Sequence, residues 1–98
     1  VGFGDKVPLG IATGLSGTLM GTEVVTAIPA GTAFVPTAGD YYVRNVGANV
    51  TVQVLDSAGA WNNVTAAGVG GYFSFDGACV RLFNAGVGAQ NVTLQKAG

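Results

Sequence analysis

The sequence predicts an all-β protein: a short-stranded antiparallel β-sandwich, or small barrel, of about seven or eight strands with an extended amino-terminal arm. Three observations predict it. Glycine is so dense, 17 in 98 residues, that the longest glycine-free run is the eleven residues 48–58. Each glycine inside a helix costs about 1 kcal/mol relative to alanine, and no window holds an apolar stripe at helical spacing without crossing one. The glycine-free runs instead alternate with period two and are rich in Val, Thr, Tyr and Phe. Turn residues punctuate them every 8–12 positions or so.

The clearest strand is 49–55. Val50, Val52 and Val54 project to one side, and Thr51, Gln53 and Leu55 to the other. Residues 41–46 precede it across Gly47-Ala48, a connection short enough for a hairpin. Asp56-Ser57-Ala58-Gly59 follows, with Asp first and Gly last as in a type I turn and Gly59 free to take positive φ. Residues 60–66 then return as the third strand of a meander. A second hairpin is expected where 72–75 and 78–83 flank Asp76-Gly77, the pair favoured in two-residue type I′ turns. Residues 91–96 form the last strand, 23–28 an upstream one, and Pro29 and Pro36 bracket a short edge segment around Phe34. The expected core is Val50, Val52, Val54, Phe73, Phe75, Val80, Leu82, Val92 and Leu94.

Two domains of behaviour follow: an arm over 1–22 and a single sandwich over 23–98. The arm carries Gly at 2, 4, 10, 14, 17 and 21 with scattered Leu9, Ile11, Leu15 and Leu19. It is too apolar for a disordered tail and too rich in glycine for a helix, and it shows no clean period. Such an arm would lie on its own sheet or on a neighbouring subunit; the alternative is an ordinary first hairpin with wide loops. A weak internal echo joins residues 45–53 to 84–95, each a strand end, a Gly turn and an Asn-Val-Thr strand. The chain opens at Val1 rather than Met, so removal of at least an initiator Met is expected.

Charge bounds the function. Charged residues make up 9% of the chain, where a soluble domain carries roughly 25%. Four basic residues are spread along the chain, so no basic patch exists to neutralise phosphates and no direct nucleic-acid partner is expected. No run reaches the ~20 apolar residues of a membrane helix. A surface so poor in charge is usually covered by neighbours, and composition therefore points to assembly. Chemistry is thin. The chain contains no His, which removes the commonest general base and metal ligand. Asp40, Asp56 and Asp76 each fall at expected turns, where Asp bonds its own backbone. Gly68-Val69-Gly70-Gly71 precedes no helix and cradles no phosphate. No enzyme activity, cofactor or metal is expected. The lone Cys79 sits in an apolar run and reads as a buried small hydrophobe. Asn49-Val50-Thr51, Asn63-Val64-Thr65 and Asn91-Val92-Thr93 match the glycosylation acceptor pattern, but their Val and Thr fit strands equally.

The residues offered as partner contacts are Phe3, Leu9, Ile11, Leu15 and Leu19 of the arm, together with Trp61 beside a turn. Trp61 with the nearby Tyr41 and Tyr42 could also stack on a sugar ring.

With its arm over 1–21 and its meander over 40–56 and 60–64, the chain resembles the small decoration or cement proteins of tailed bacteriophage heads. The likeness is one of style over the whole length and rests on no signature motif, so no functional residue is carried over. It implies a virion protein bound to the outer face of an assembled shell, with the major capsid protein and copies of itself as partners, often as a trimer, stabilising the shell against internal pressure. A carbohydrate-binding sandwich and a fimbrial or surface-layer subunit are the competing expectations.

Overall fold

The computed structural model describes residues 20–97, and the arm contacts named above, from Phe3 to Leu19, lie outside them. Eight strands follow in order: β1 (Met20–Ile28), β2 (Ala33–Phe34), β3 (Gly39–Arg44), β4 (Val50–Leu55), β5 (Trp61–Asn63), β6 (Gly71–Phe75), β7 (Val80–Asn84) and β8 (Gln90–Ala97). No helix occurs among the described residues. The first strand begins at Met20, inside the segment assigned to the arm.

The strands form two four-stranded antiparallel sheets, ordered β1-β8-β3-β6 and β2-β7-β4-β5. Because the two sheets remain separate, the protein is a sandwich rather than a barrel. The pairing is nested: β1 with β8, β2 with β7, β3 with β6, and β4 with β5. That nesting is the topology of a jelly roll, a long hairpin rolled so that its two arms alternate between layers.

The rolling overturns two of the expected connections. Asp76-Gly77 does not close a hairpin; it arches from β6 in the first sheet to β7 in the second. Gly77 does take positive φ, at 83°, but a left-handed glycine serves an arch as well as a tight turn. Gly47-Ala48 likewise carries the chain from β3 across to β4 in the other sheet. Among the described residues the only consecutive strands that pair are β4 and β5, where Gly59 has φ 85° and donates its N–H to the Asp56 carbonyl at 3.1 Å, as the turn chemistry predicts. The third meander strand is shorter than 60–66, because only Trp61–Asn63 forms a strand. The short edge segment between the two prolines is β2.

The core between the sheets contains Ile28, Tyr41, Val43, Val50, Val52, Phe75, Leu82, Val92 and Leu94. Phe73 and Val80 pack against it half-buried, and Val54 lies toward the rim. Tyr41 meets Phe75 edge-on, with ring centroids 5.5 Å apart, and its hydroxyl donates to the Thr37 carbonyl at 2.9 Å. Asn84 is the fully buried polar side chain of the core. Its amide nitrogen donates to the carbonyls of Ile28 and Gly88, and its oxygen accepts from the N–H of Gly86. All three bonds hold loops that leave the same end of the sandwich.

Candidate interaction surface

Jelly-roll topology sends the β1–β2, β3–β4, β5–β6 and β7–β8 connections to one end. Their residues, 29–32, 45–49, 64–70 and 85–89, include no charged side chain at all. The loops interlock through their backbones. Gly31 N–H donates to the Asn84 carbonyl, Gly47 to Asn91, Gly68 to Val50 and Ala85 to Asn49, each at 2.9–3.0 Å. Asn45 turns the chain out of β3 with φ 50°, a left-handed conformation that asparagine tolerates better than other side chains with a Cβ. The loops expose mainly Ala, Gly and Val, together with Pro29, Thr32, Asn45 and Asn49. Val69 is half-exposed and Val87 is fully exposed.

The opposite end differs. Its loops, 35–38, 56–60 and 76–79, contain Asp56 and Asp76. Asp56 accepts from the backbone N–H groups of Ala58 and Ala60 and from the Asn62 side chain. Asp76 accepts from the N–H groups of Ala78 and Cys79. The Ala60 N–H foremost, then the Asn62 amide, holds the Asp56 carboxyl below the usual carboxylate range, and the Ala78 and Cys79 N–H groups do the same for Asp76. Asp40 is not a turn residue: it lies on β3 and accepts from the Ser74 hydroxyl across the strand pair. The remaining described acid, Glu23, forms an ion pair with Arg44. Among the described residues no three acidic or cysteine side chains come together as a metal site. Cys79 is exposed, not buried: it is the last residue of the arch before β7, which begins at Val80.

Each sheet also has an outer face. On the second sheet, Arg81 of β7 reaches across β4 to lay its guanidinium 4.0 Å from the centre of the Trp61 ring, while its Nε donates to Gln53 Oε1 at 2.9 Å. Asn63 Oδ1 then accepts from both Gln53 and Thr51. Trp61 is therefore half-buried beneath an arginine. On the first sheet, Tyr42 and Tyr72 pair with centroids 4.8 Å apart, and Arg44 lies 5.5 Å from the Tyr42 ring. The aromatics offered by the sequence as one platform are thus dispersed. Tyr41 is in the core, Tyr42 is on one outer face, and Trp61 is on the other.

Sequence reasoning missed the uncharged loop end. Its signal was present, because four connections lack Asp, Glu, Lys and Arg, but their convergence depends on topology. The class that the described residues define is an eight-stranded jelly-roll sandwich with four uncharged loops at one end. No protein-family model, curated protein or solved structure matches the chain.

Proposed function

We propose that this chain is a structural virion protein, a decoration or cement protein that seats its charge-free loop end on the outer surface of a bacteriophage capsid. The observation that carries the reading is that loop end, where Val69 and Val87 are exposed and no charge has to be desolvated on contact. Two further features support it. The chain as a whole has 9% charged residues, so association hides surface that water hydrates poorly. Jelly rolls recur in capsid proteins, which is support by analogy of fold. A stiff sandwich with its loop backbones internally bonded loses little conformational freedom on docking, and each of many copies can add its contact to the shell.

The test uses purified protein and phage capsids from which it has been stripped. Wild type is expected to co-sediment with the capsids and raise their resistance to heat. Val69→Asp/Val87→Asp is expected to fold normally and lose co-sedimentation, because two carboxylates would be desolvated at the contact. A wild-type protein that stays in the supernatant, or a double variant that binds as wild type does, sinks the proposal.

A further inference from the structure

The strands of the second sheet, β2, β7, β4 and β5, contain one charged side chain, Arg81 of β7. The register sets it beside Gln53, with Phe83 opposite Thr51 and Leu55 opposite Trp61 on the same outer face. Two rings bracket the guanidinium: its carbon lies 4.0 Å from the centre of the Trp61 ring and 5.2 Å from that of Phe83. Its Nε donates to Gln53 Oε1, and the Gln53 amide nitrogen donates in turn to Asn63 Oδ1 at 2.9 Å. A side chain that an ordinary surface arginine leaves mobile is thus held in one geometry. The stack uses the faces of the guanidinium, whereas its hydrogen bonds lie in its plane, so a ring and a carboxylate do not compete for it. With Nε committed to Gln53, the fork of Nη1 and Nη2 at the end of the plane is what a carboxylate meets.

We infer that the outer face of the second sheet is a protein-docking surface whose partner presents one acidic side chain to Arg81. Charge complementarity carries the choice of partner. A phosphate-rich partner calls for several cations, and this sheet offers one. A single cation set among rings is matched by a single carboxylate on an apolar surface. Leu55, Trp61 and Phe83 are half-buried, so each has surface left to give to the apolar neighbours of that carboxylate. Trp and Arg together are also the residues that dominate the centres of protein contacts. The cost of ordering is low, because the bonds within the chain have already removed much of the rotamer freedom of Arg81. The flanking rings keep water from the guanidinium, which strengthens an ion pair made there. The inference does not rest on the capsid reading: it names a different face from the loop end, and its test uses no capsid.

The test titrates the full chain with the blocked tripeptide acetyl-Leu-Glu-Phe-amide and with its Gln counterpart, reading the fluorescence of Trp61. The Glu peptide is expected to change the emission saturably in the millimolar range, and the Gln peptide to bind about tenfold more weakly, a loss of one ion pair. Added salt should weaken the Glu peptide alone. Arg81→Gln should abolish the preference for Glu while keeping the far-ultraviolet circular dichroism of wild type. Gln53→Ala keeps the cation and the ring but releases Nε, and it should weaken the Glu peptide several-fold with the Gln peptide unchanged. Equal affinity for the two peptides, no response to either, or a preference for Glu that survives Arg81→Gln overturns the proposal. Asp5→Asn tests the chain's own carboxylate: unchanged affinity for the Glu peptide is expected, and a gain of about tenfold would mean that Arg81 is paired within the chain and would overturn the proposal as well.

Discussion

The N–H of Gly47 donates to the carbonyl of Asn91 at 2.9 Å, and the contact has a counterpart in which the N–H of Ala85 donates to the carbonyl of Asn49 at 3.0 Å. Gly47 and Ala85 lie in the two arches β3–β4 and β7–β8. Each arch bonds to the residue beside the start of the other arch's second strand. The strands on either side also pair reciprocally, β3 with β8 in one sheet and β4 with β7 in the other. The sequence echo between 45–53 and 84–95 thus corresponds to two similar arches clasping one another. The clasp leaves little room: a Cβ on Gly47 would meet the Gln90 side chain, and one on Gly86 the Asn49 side chain.

The tightest backbone approach nearby predicts a sharp difference between two glycines. A Cβ on Gly70 would fall 2.1 Å from the Val43 carbonyl oxygen, in the middle of the first sheet, where no flexible side chain can yield. Nothing lies within 4 Å of a Cβ on Gly88. Gly70→Ala should therefore lower unfolding stability by about 1–3 kcal/mol or more, while Gly88→Ala stays within about 0.5 kcal/mol of wild type. Urea denaturation followed by far-ultraviolet circular dichroism measures both.

Asn84 predicts the cost of breaking a buried polar network. Its side chain serves the Ile28 and Gly88 carbonyls and the Gly86 N–H. Asn84→Ala leaves these groups without that partner and opens a small cavity, so a loss of about 2–4 kcal/mol is expected. Amide exchange should rise first in 85–89, because those bonds tie the β7–β8 arch to the core. An unchanged exchange pattern would contradict the role assigned to Asn84.

Acid should weaken the fold through Asp56 and Asp76. Backbone donors depress both carboxyls in the folded state, led by the Ala60 N–H for Asp56 and the Ala78 N–H for Asp76. A depressed folded value means that the unfolded chain binds protons more readily. The stabilisation is present above the unfolded carboxyl range and is lost as pH falls through the folded values. The thermal midpoint should be flat from neutral pH to about pH 5 and decline below about pH 4. Asp56→Asn/Asp76→Asn should flatten that decline, and an acid limb identical to wild type would exclude these two groups as its source.

Trp61 is the sole tryptophan, so its fluorescence reports on the Arg81 stack alone. Arg81→Ala should shift the emission maximum and cost about 0.5–2 kcal/mol. Arg81→Lys should restore charge without restoring the spectrum, because an ammonium lacks the planar guanidinium that lies over the ring and bonds Gln53. Emission that ignores both substitutions would show that the stack does not persist in solution.

Much of this was legible from residues alone. Alternation located β4, β6, β7 and β8 and assigned Val50, Val52, Leu82, Val92 and Leu94 to the inside. The Asp56–Gly59 turn followed from its own side chains. Ile28, Tyr41 and Val43 were missed as core because the strands bearing them are not apolar on one face only; Tyr41-Tyr42-Val43 offers three candidates for two directions. Cys79 was misplaced because an apolar neighbourhood in sequence was taken for burial in space. The candidate surface was invisible for a different reason: four uncharged loops distant along the chain form one patch only after rolling.

By itself, then, the sequence determined the approximate strands, the Asp56–Gly59 turn and the absence of helix among the described residues, since each depends on backbone preferences within a few residues, and its composition gave the poverty of charge. Tertiary structure alone decided which strands are partners. A glycine with positive φ between two alternating strands satisfies a hairpin and an inter-sheet arch equally well. The choice between them at Asp76-Gly77 is made by bonds to β3 and β4, more than twenty residues back along the chain. Those long-range pairings set the jelly-roll order and gathered the uncharged loops at one end.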